Sequence, residues 1–465
     1  MSVLCAALPP GVARADEDLP PVAVLLSEAI RIRSIDPPGG EVPVARLLER
    51  ALETRGVEAR VLESAPGRGN VIARLRATAP DGRPPLLLLA HLDVVPADAE
   101  AWSFRPFSGE VRDGLVLGRG ALDDKAQAAV FVEALGRLRA SGAPRSRDLV
   151  FAGTAGEEVD GAGTRWLIEN HWEDLGPPGA VWNEGGASMA LAEAGGRVVN
   201  AVATGEKRAL WVSLVTDGEG GHGSMPVRDG ANERLVRALA RVASWQTPVR
   251  ITPGVDVALA RLGAAVPGIT GFGIAHLGNP VVRFFARDAL AASRTLNAMV
   301  RDTIALTVIR GGLEHNVIPR RAEAKLDVRL LPDTDAAAFV ASLERVIDDP
   351  GVRVVLPQRG LPPVIPASPV AHELFAALEA ELREELPRSI TLPVQANGAT
   401  DSLFFRARGV PAYGYLPVRL EPELSATLHG RNERIPVREL ERAVRVTTRV
   451  LERLTRPGAA AGARN

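Results

Sequence analysis

The run Leu86-Leu87-Leu88-Leu89-Ala90 constrains the fold more than any other segment. Five consecutive apolar residues without polar alternation cannot form a strand with one wet face. Such a strand is covered on both sides, as in a parallel sheet sandwiched between helices. Shorter apolar runs at 148–152 and 180–182 have the same character. Amphipathic helical periodicity at 22–33 and 42–55 precedes them, and 57–63 and 70–75 read as strands. A helix at 124–140 has Gly142 near its C-terminal end, where a left-handed stop is expected. This alternation predicts an α/β domain with a mainly parallel sheet.

Near residue 205 the pattern changes. Strand 210–215, helix 232–244, strands 303–309 and 322–330, helix 336–347 and strand 352–356 follow, interrupted by an irregular stretch. The order β-α-β-β-α-β predicts an inserted ferredoxin-like α+β unit. Residues 361–369 hold four prolines in nine positions and read as a linker. Helices at 372–385 and 437–454 then resume the first pattern. The expected division is a leader at 1–19, a catalytic domain at 20–205 and 357–457, an inserted lid at 206–356, and a disordered tail at 458–465. The extra chain between Gln246 and Arg301 is expected to cap the site or reshape a dimer contact.

Composition removes several function classes. The 55 Lys+Arg balance 56 Asp+Glu, so no broad positive field for nucleic acid exists. No apolar run reaches the roughly 18 residues that span a bilayer. A single cysteine, Cys5, excludes an intramolecular disulfide and a thiolate metal cluster. Any metal must therefore be held by His, Asp and Glu. Ala13-Arg14-Ala15 has the form of a signal-peptidase site, yet no basic segment precedes it. Two readings stand: the remnant of a periplasmic or secreted protein's signal, or the leader of a cytoplasmic one.

Five short segments carry candidate chemistry. His91-Leu92-Asp93 follows the buried strand directly, where sites form in open α/β sheets. A carboxylate two residues from a metal-binding His fixes its orientation. Asp123-Asp124-Lys125 opens a helix after a glycine-rich turn, where Asp123 serves equally well as a helix cap. Glu157-Glu158 follows strand 148–152, and adjacent carboxylates persist most easily beside a cation. Trp182-Asn183-Glu184 and Thr427-Leu428-His429 complete the set. Singly, each has a structural reading: a satisfied core His, a cap, a solvated loop. Together they supply two His and several carboxylates, a ligand set for zinc, cobalt or manganese.

These segments, in this order, resemble the co-catalytic zinc peptidases of the acetylornithine deacetylase, succinyl-diaminopimelate desuccinylase, carnosinase and carboxypeptidase S type. Leu92-Asp93-Val94-Val95-Pro96 and Trp182-Asn183-Glu184-Gly185-Gly186 look closest to the carboxypeptidase S branch. The resemblance implies two zinc ions per subunit. His91, Asp123 and Glu184 would hold one, and Asp123, Glu158 and His429 the other. Asp93 would orient His91, and Glu157 would be the general base. His222, in Gly220-Gly221-His222-Gly223-Ser224, resembles the family's lid histidine, which reaches the scissile carbonyl, often from the partner of a homodimer. Asn316, Arg329, Gly398 and Thr400 resemble substrate-contacting positions, although a surface arginine is an equal reading of Arg329. The implied reaction is metal-dependent hydrolysis of an amide bond next to a free carboxylate, in a small peptide or an N-acyl amino acid. His171, His276, His315 and His372 match no motif, and Trp102 is read as packing near the site.

Overall fold

The computed structural model describes residues 19–191, 194–357, 360–396 and 398–458. The expected leader lies outside the described residues except for residue 19, as does the tail beyond residue 458.

A nine-stranded mixed sheet forms the larger layer. From one edge its strands run Glu58–Ala65, Arg68–Leu75, Leu149–Thr154, Leu86–His91, Ala180–Asn183, Ala412–Gly414, Val198–Glu206 and Ile390–Ala396, with Ser188–Ala190 paired to Val198–Glu206. The centre is parallel: Leu86–His91 lies between Leu149–Thr154 and Ala180–Asn183. The Glu58–Ala65 and Arg68–Leu75 hairpin is added antiparallel at one flank. Leu86, Leu88 and Ala90 enter one hydrophobic core, while Leu87 and Leu89 enter the core on the opposite face. That is the two-faced burial the unbroken apolar run requires.

Helix Lys125–Ser141 lies behind the central strands against helices Pro21–Arg31, Val42–Thr54 and Val437–Thr455. It is buried almost all round, which explains its lack of a polar face. Gly142 ends it in the left-handed region at φ 64°, as its sequence position predicts.

The second sheet has the order Thr303–Arg310, Arg321–Leu330, Arg208–Asp217, Val352–Val355, all antiparallel. Helices Ala231–Ser244 and Ala336–Ile347 cover one face and share its apolar core. In chain order the strands stand 2-3-1-4, the ferredoxin-like arrangement. On the uncovered face, Ala209, Trp211 and Arg329 border the cavity described below.

The stretch read as irregular is helical: Pro253–Ala265, Gly268–Ala275, Pro280–Ala292 and Arg294–Val300. Its prolines and glycines read as breakers in the sequence. Pro253 and Pro280 instead occupy first-turn positions, where the missing N–H costs nothing. Asn279 and Ser293 cap two of these helices with their side chains. The insert does not pack solely with the lid. Ala258 and Leu262 pack with Val199 and Leu392 of the large sheet.

Candidate metal centre

Because Leu86–His91, Leu149–Thr154 and Ala180–Asn183 run parallel, their carboxyl ends open on one side. His91 ends the first strand, Glu157 and Glu158 follow the second, and Glu184 follows the third. Parallel strands thus convert four scattered sequence positions into one cluster.

Asp123 stands at its middle. Its Oδ1 lies 2.8 Å from His91 Nε2, and its Oδ2 lies 2.9 Å from His429 Nε2. Glu184 Oε1 is 3.8 Å from His91 Nε2, and Glu158 Oε1 is 3.2 Å from His429 Nε2. Two three-residue groups result, His91–Asp123–Glu184 and Asp123–Glu158–His429, joined through the shared carboxylate. Asp123 caps nothing, and Asp124, at the helix N-cap, makes no side-chain cap bond. The structural alternative for this pair is therefore not what the chain adopts.

Each ligand position has a support. His91 Nδ1 donates to the main-chain carbonyl of Asp93 at 3.0 Å, which leaves Nε2 free for the cluster. The Asp93 carboxylate lies 3.6 Å from Nδ1. It accepts from the backbone N–H groups of Gly156, Glu157 and Glu158 at 2.9, 3.1 and 3.0 Å. One aspartate thereby orients His91 through its carbonyl and shapes the glutamate loop through its carboxylate. Gly156 permits that turn with φ 81°. Asn183 is turned away onto Thr400 and Ser402, so Glu184 is the residue presented to His91.

Glu433, four residues after His429, is a positioning residue that the sequence reading missed. Its carboxylate is fully buried and accepts from Arg119 Nη1 at 2.6 Å. It also accepts from the backbone N–H groups of Gly120, Leu122 and Asp123 at 3.1, 2.7 and 3.2 Å. Arg119 Nη2 donates in turn to the Gly430 carbonyl at 2.9 Å. The pair thus clamps the Asp123 loop to the His429 loop. Trp102 lies over Arg119, its ring centre 5.2 Å away, which gives the expected packing residue a cation–π contact. His429 itself is held at φ 55°, a left-handed conformation costing roughly 1–3 kcal/mol in a non-glycine residue.

The electrostatics match a cation cradle. Burial drives the Glu184 carboxyl well above its ordinary range, and Asp123 and Glu157 push it further. Burial also raises Glu157, with Asp401 and Asp123 adding to the shift. Hydrogen bonds to Asp123 and Glu158 push His429 up to about 10. Burial alone would lower His91, but Asp123 and Asp93 hold it well above its usual value. Carboxylates outnumber bases here, and protons on the histidines supply positive charge that a pair of divalent ions would replace. Nitrogen and oxygen donors suit zinc, cobalt or manganese. A third carboxylate group, Asp36, Glu41 and Asp93, is closed instead by Arg68, which donates to both Asp36 oxygens at 2.7 and 2.8 Å.

The cluster forms one wall of a cavity of about 1220 Å³ that also reaches Arg329, Gly398 and Thr400. Gly398 has nothing within 4 Å of where a Cβ would stand, so its backbone is open to a ligand. Thr400 Oγ1 donates to Glu206 Oε1 at 2.5 Å. Arg329 is paired with Asp327 through Nε at 2.9 Å and Nη2 at 3.2 Å. His222 and Asn316 are not brought to this cavity. They lie on or beside an exposed pair of short antiparallel strands, Gly221–His222 and Val317–Ile318, where His222 stands opposite Val317 and the Asn316 carbonyl accepts from Gly223 N at 2.8 Å; His222 Nδ1 lies 2.7 Å from Ser224 Oγ. His171 pairs with Asp174, and His372 caps the helix Glu373–Glu385. His276 bonds the Phe272 carbonyl, and none of these three joins the ligand groups.

Residues 87–453 match the peptidase family M20/M25/M40. The chain belongs to that family. It is a metal-dependent hydrolase of the peptidase and amidohydrolase class. It is 29% identical over 379 residues to the N-fatty-acyl-amino acid synthase/hydrolase PM20D1 of Homo sapiens, covering 78% of this chain and 72% of that one. It is 26% identical over 440 residues to aminoacylase-1 of Sus scrofa, covering 93% and 95%. An M20 family metallo-carboxypeptidase from Sulfolobus solfataricus shares the fold with a TM-score of 0.69 and 20% identity, over 93% of this M20 chain and 99% of that one.

Metal binding must displace the protons that hold His91 and His429 charged. In the metal-free protein the His429 proton stays on up to about pH 10, and the carboxylates around His91 hold its proton on well above the ordinary histidine range. Metal affinity should therefore rise with pH across the neutral range and fall as pH drops. Calorimetric titration of zinc at pH 6 and pH 8, in buffers of different ionisation enthalpy, should show tighter binding at pH 8 with proton release. Equal affinity without proton release would contradict the cradle.

Proposed function

We propose that this M20 chain binds two zinc ions, through His91, Asp123 and Glu184 and through Asp123, Glu158 and His429. We further propose that it hydrolyses the amide bond of N-acyl amino acids whose acyl group is apolar. Peptides with an apolar acyl-side residue and a free C-terminal carboxylate present the same bond. The observation that carries the choice is the cavity. Its 1220 Å³ exceeds the roughly 300–1,000 Å³ common for small-ligand pockets. Apolar side chains including Met189, Leu361, Ile365, Leu416 and Leu420 line it. Its lining carboxylates, among the described residues, are Asp123, Asp124, Glu157, Glu158 and Glu184, all in or beside the metal centre. That leaves no separate carboxylate for the free ammonium of a dipeptide. The aminoacylase and N-fatty-acyl-amino acid hydrolase names among its relatives favour the same substrate class.

Divalent ions held by His91, Asp123 and Glu184 and by Asp123, Glu158 and His429 would supply a water of lowered pKa and polarise the amide carbonyl. Glu157 stands at the cavity wall, its carboxyl raised by burial, and takes a proton from the attacking water. It then passes that proton to the leaving nitrogen as the C–N bond breaks, giving a carboxylic acid and an amino acid. Arg329 spends Nε and Nη2 on Asp327 and keeps Nη1 for the substrate carboxylate. Gly398 and Thr400 line the cavity beside it.

His222 is proposed to donate to the developing oxyanion in the site of a second copy, together with Asn316 beside the paired strand Val317–Ile318. Within one chain neither residue lines the cavity. The functional unit under this reading is a homodimer formed through the lid.

The substrate reading is tested with a panel of N-acyl leucines of rising chain length and matched dipeptides, with zinc, cobalt or manganese supplied. Longer apolar acyl groups should raise kcat/KM, and chelation should abolish turnover. Glu157→Gln should keep its metal and lose roughly 10²–10⁴-fold in kcat, as loss of a general base does. A preference for unacylated dipeptides would overturn the substrate class. Loss of an ion in Glu157→Gln would overturn its role.

The shared site is tested by mixing two inactive variants. Glu157→Gln and His222→Ala, mixed and allowed to exchange subunits, should regain activity. One of the two sites in the mixed dimer then combines an intact Glu157 with an intact His222. A mixture as inactive as its parts, with mixed dimers demonstrated, would overturn the sharing of His222 between subunits.

A further inference from the structure

We infer that the lid holds a second ligand site, a crevice at Arg301 that takes a small monocarboxylate with an apolar body. The crevice encloses about 400 Å³ between helix Ala231–Ser244, helix Arg294–Val300 and strand Thr303–Arg310. It is separate from the metal-centre cavity and shares no lining residue with it. Its volume lies at the low end of the range for small-molecule pockets.

Arg301 is its cation. Nη1 donates to the Thr247 carbonyl, and Nε is buried without a hydrogen-bond partner. Burial lowers this guanidinium from its ordinary value, and among the described residues no carboxylate forms an ion pair with it. Asp302 also lines the crevice, and its Oδ1 is turned to the lid, accepting from Leu331 N at 2.6 Å and Thr334 Oγ1 at 2.7 Å. A partly buried cation without a counter-ion, at the wall of an open crevice, is matched by an anion from outside. Val242, Trp245, Ile304 and Leu306 supply the apolar wall, and Asn297 adds a side-chain amide. An inorganic anion would waste that wall, and a neutral hydrocarbon would leave Arg301 unmatched. A carboxylate with a short apolar body satisfies both.

The position suggests what occupancy does. Helix Arg294–Val300 closes the insert that packs on the large sheet, and strand Thr303–Arg310 belongs to the lid sheet. A ligand between them joins the lid to the insert. If the proposed hydrolysis is correct, the acid it releases belongs to this ligand class. The crevice itself does not depend on that reading.

The test is hydrogen–deuterium exchange of the zinc-loaded protein with hexanoate, and with hexanamide as the uncharged control. Hexanoate should protect residues 239–247 and 297–306. Hexanamide should need at least tenfold higher concentration for the same effect, since a hydrogen bond to a charged group is lost. Arg301→Gln should remove this protection while any protection around residues 123 and 429 remains. Leu306→Trp, which fills the crevice from its exposed rim and keeps Arg301, should also remove it. Protection confined to the metal-centre cavity, or unchanged protection of 239–247 in either folded variant, would overturn the site. Failure of the amide-hydrolysis assay with intact, Arg301-dependent protection would overturn only the substrate reading.

Discussion

One carboxylate organises this molecule. Asp123 lies between His91 and His429, 2.8 and 2.9 Å from their Nε2 atoms, and both ligand groups need it. Holding that carboxylate buried is expensive, because desolvation alone disfavours its charge. The surrounding structure offsets the cost in three ways. The two histidines face it, Glu433 fixes its backbone N–H, and Arg119 ties that loop to the one carrying His429. The parallel strands then need only deliver His91, Glu158 and Glu184 to the same end of the sheet.

The lid and its insert shape what reaches this centre. The lid sheet buries one face under its own helices and turns Trp211 and Arg329 to the cavity. Arg208 joins the two parts at their junction, donating to the carbonyls of Leu331 and Thr334 in the lid and of Pro362 and Pro363 in the linker. The proline-rich linker is therefore more than a connection, since Leu361, Pro362, Pro363 and Ile365 form part of the cavity wall. The insert helices brace the far edge of the large sheet through Leu262.

Much of this was legible where the determinant is local. The unbroken run 86–90 required a doubly covered strand, and its alternate residues do enter opposite cores. Each ligand candidate adjoined a recognisable strand end or helix start, and His91, Asp123, Glu158, Glu184 and His429 converge as the motif order implied. What escaped depends on distant partners. Glu433 is marked by nothing in its own neighbourhood; its role exists only because residues 119–123 fold over it. The helices from Pro253 to Val300 looked irregular because their prolines stand at first turns, which only the capped geometry reveals. Asp93 was expected to orient His91 with its carboxylate; its main-chain carbonyl accepts from His91 Nδ1 instead, and the carboxylate shapes the Glu157 loop. The positions of His222 and Asn316 follow from lid topology, which pairs the short strands Gly221–His222 and Val317–Ile318 from distant parts of the chain, away from the cavity of their own chain.

Asp123 is the one carboxylate common to both three-residue groups. Elemental analysis of purified, folded Asp123→Asn and Glu184→Gln proteins, side by side with the parent chain after zinc loading, tests it most directly. The shared carboxylate predicts that Asp123→Asn weakens both ions together, whereas Glu184→Gln weakens one and leaves the other at parent occupancy. An Asp123→Asn protein that retains one ion at full parent occupancy would contradict it.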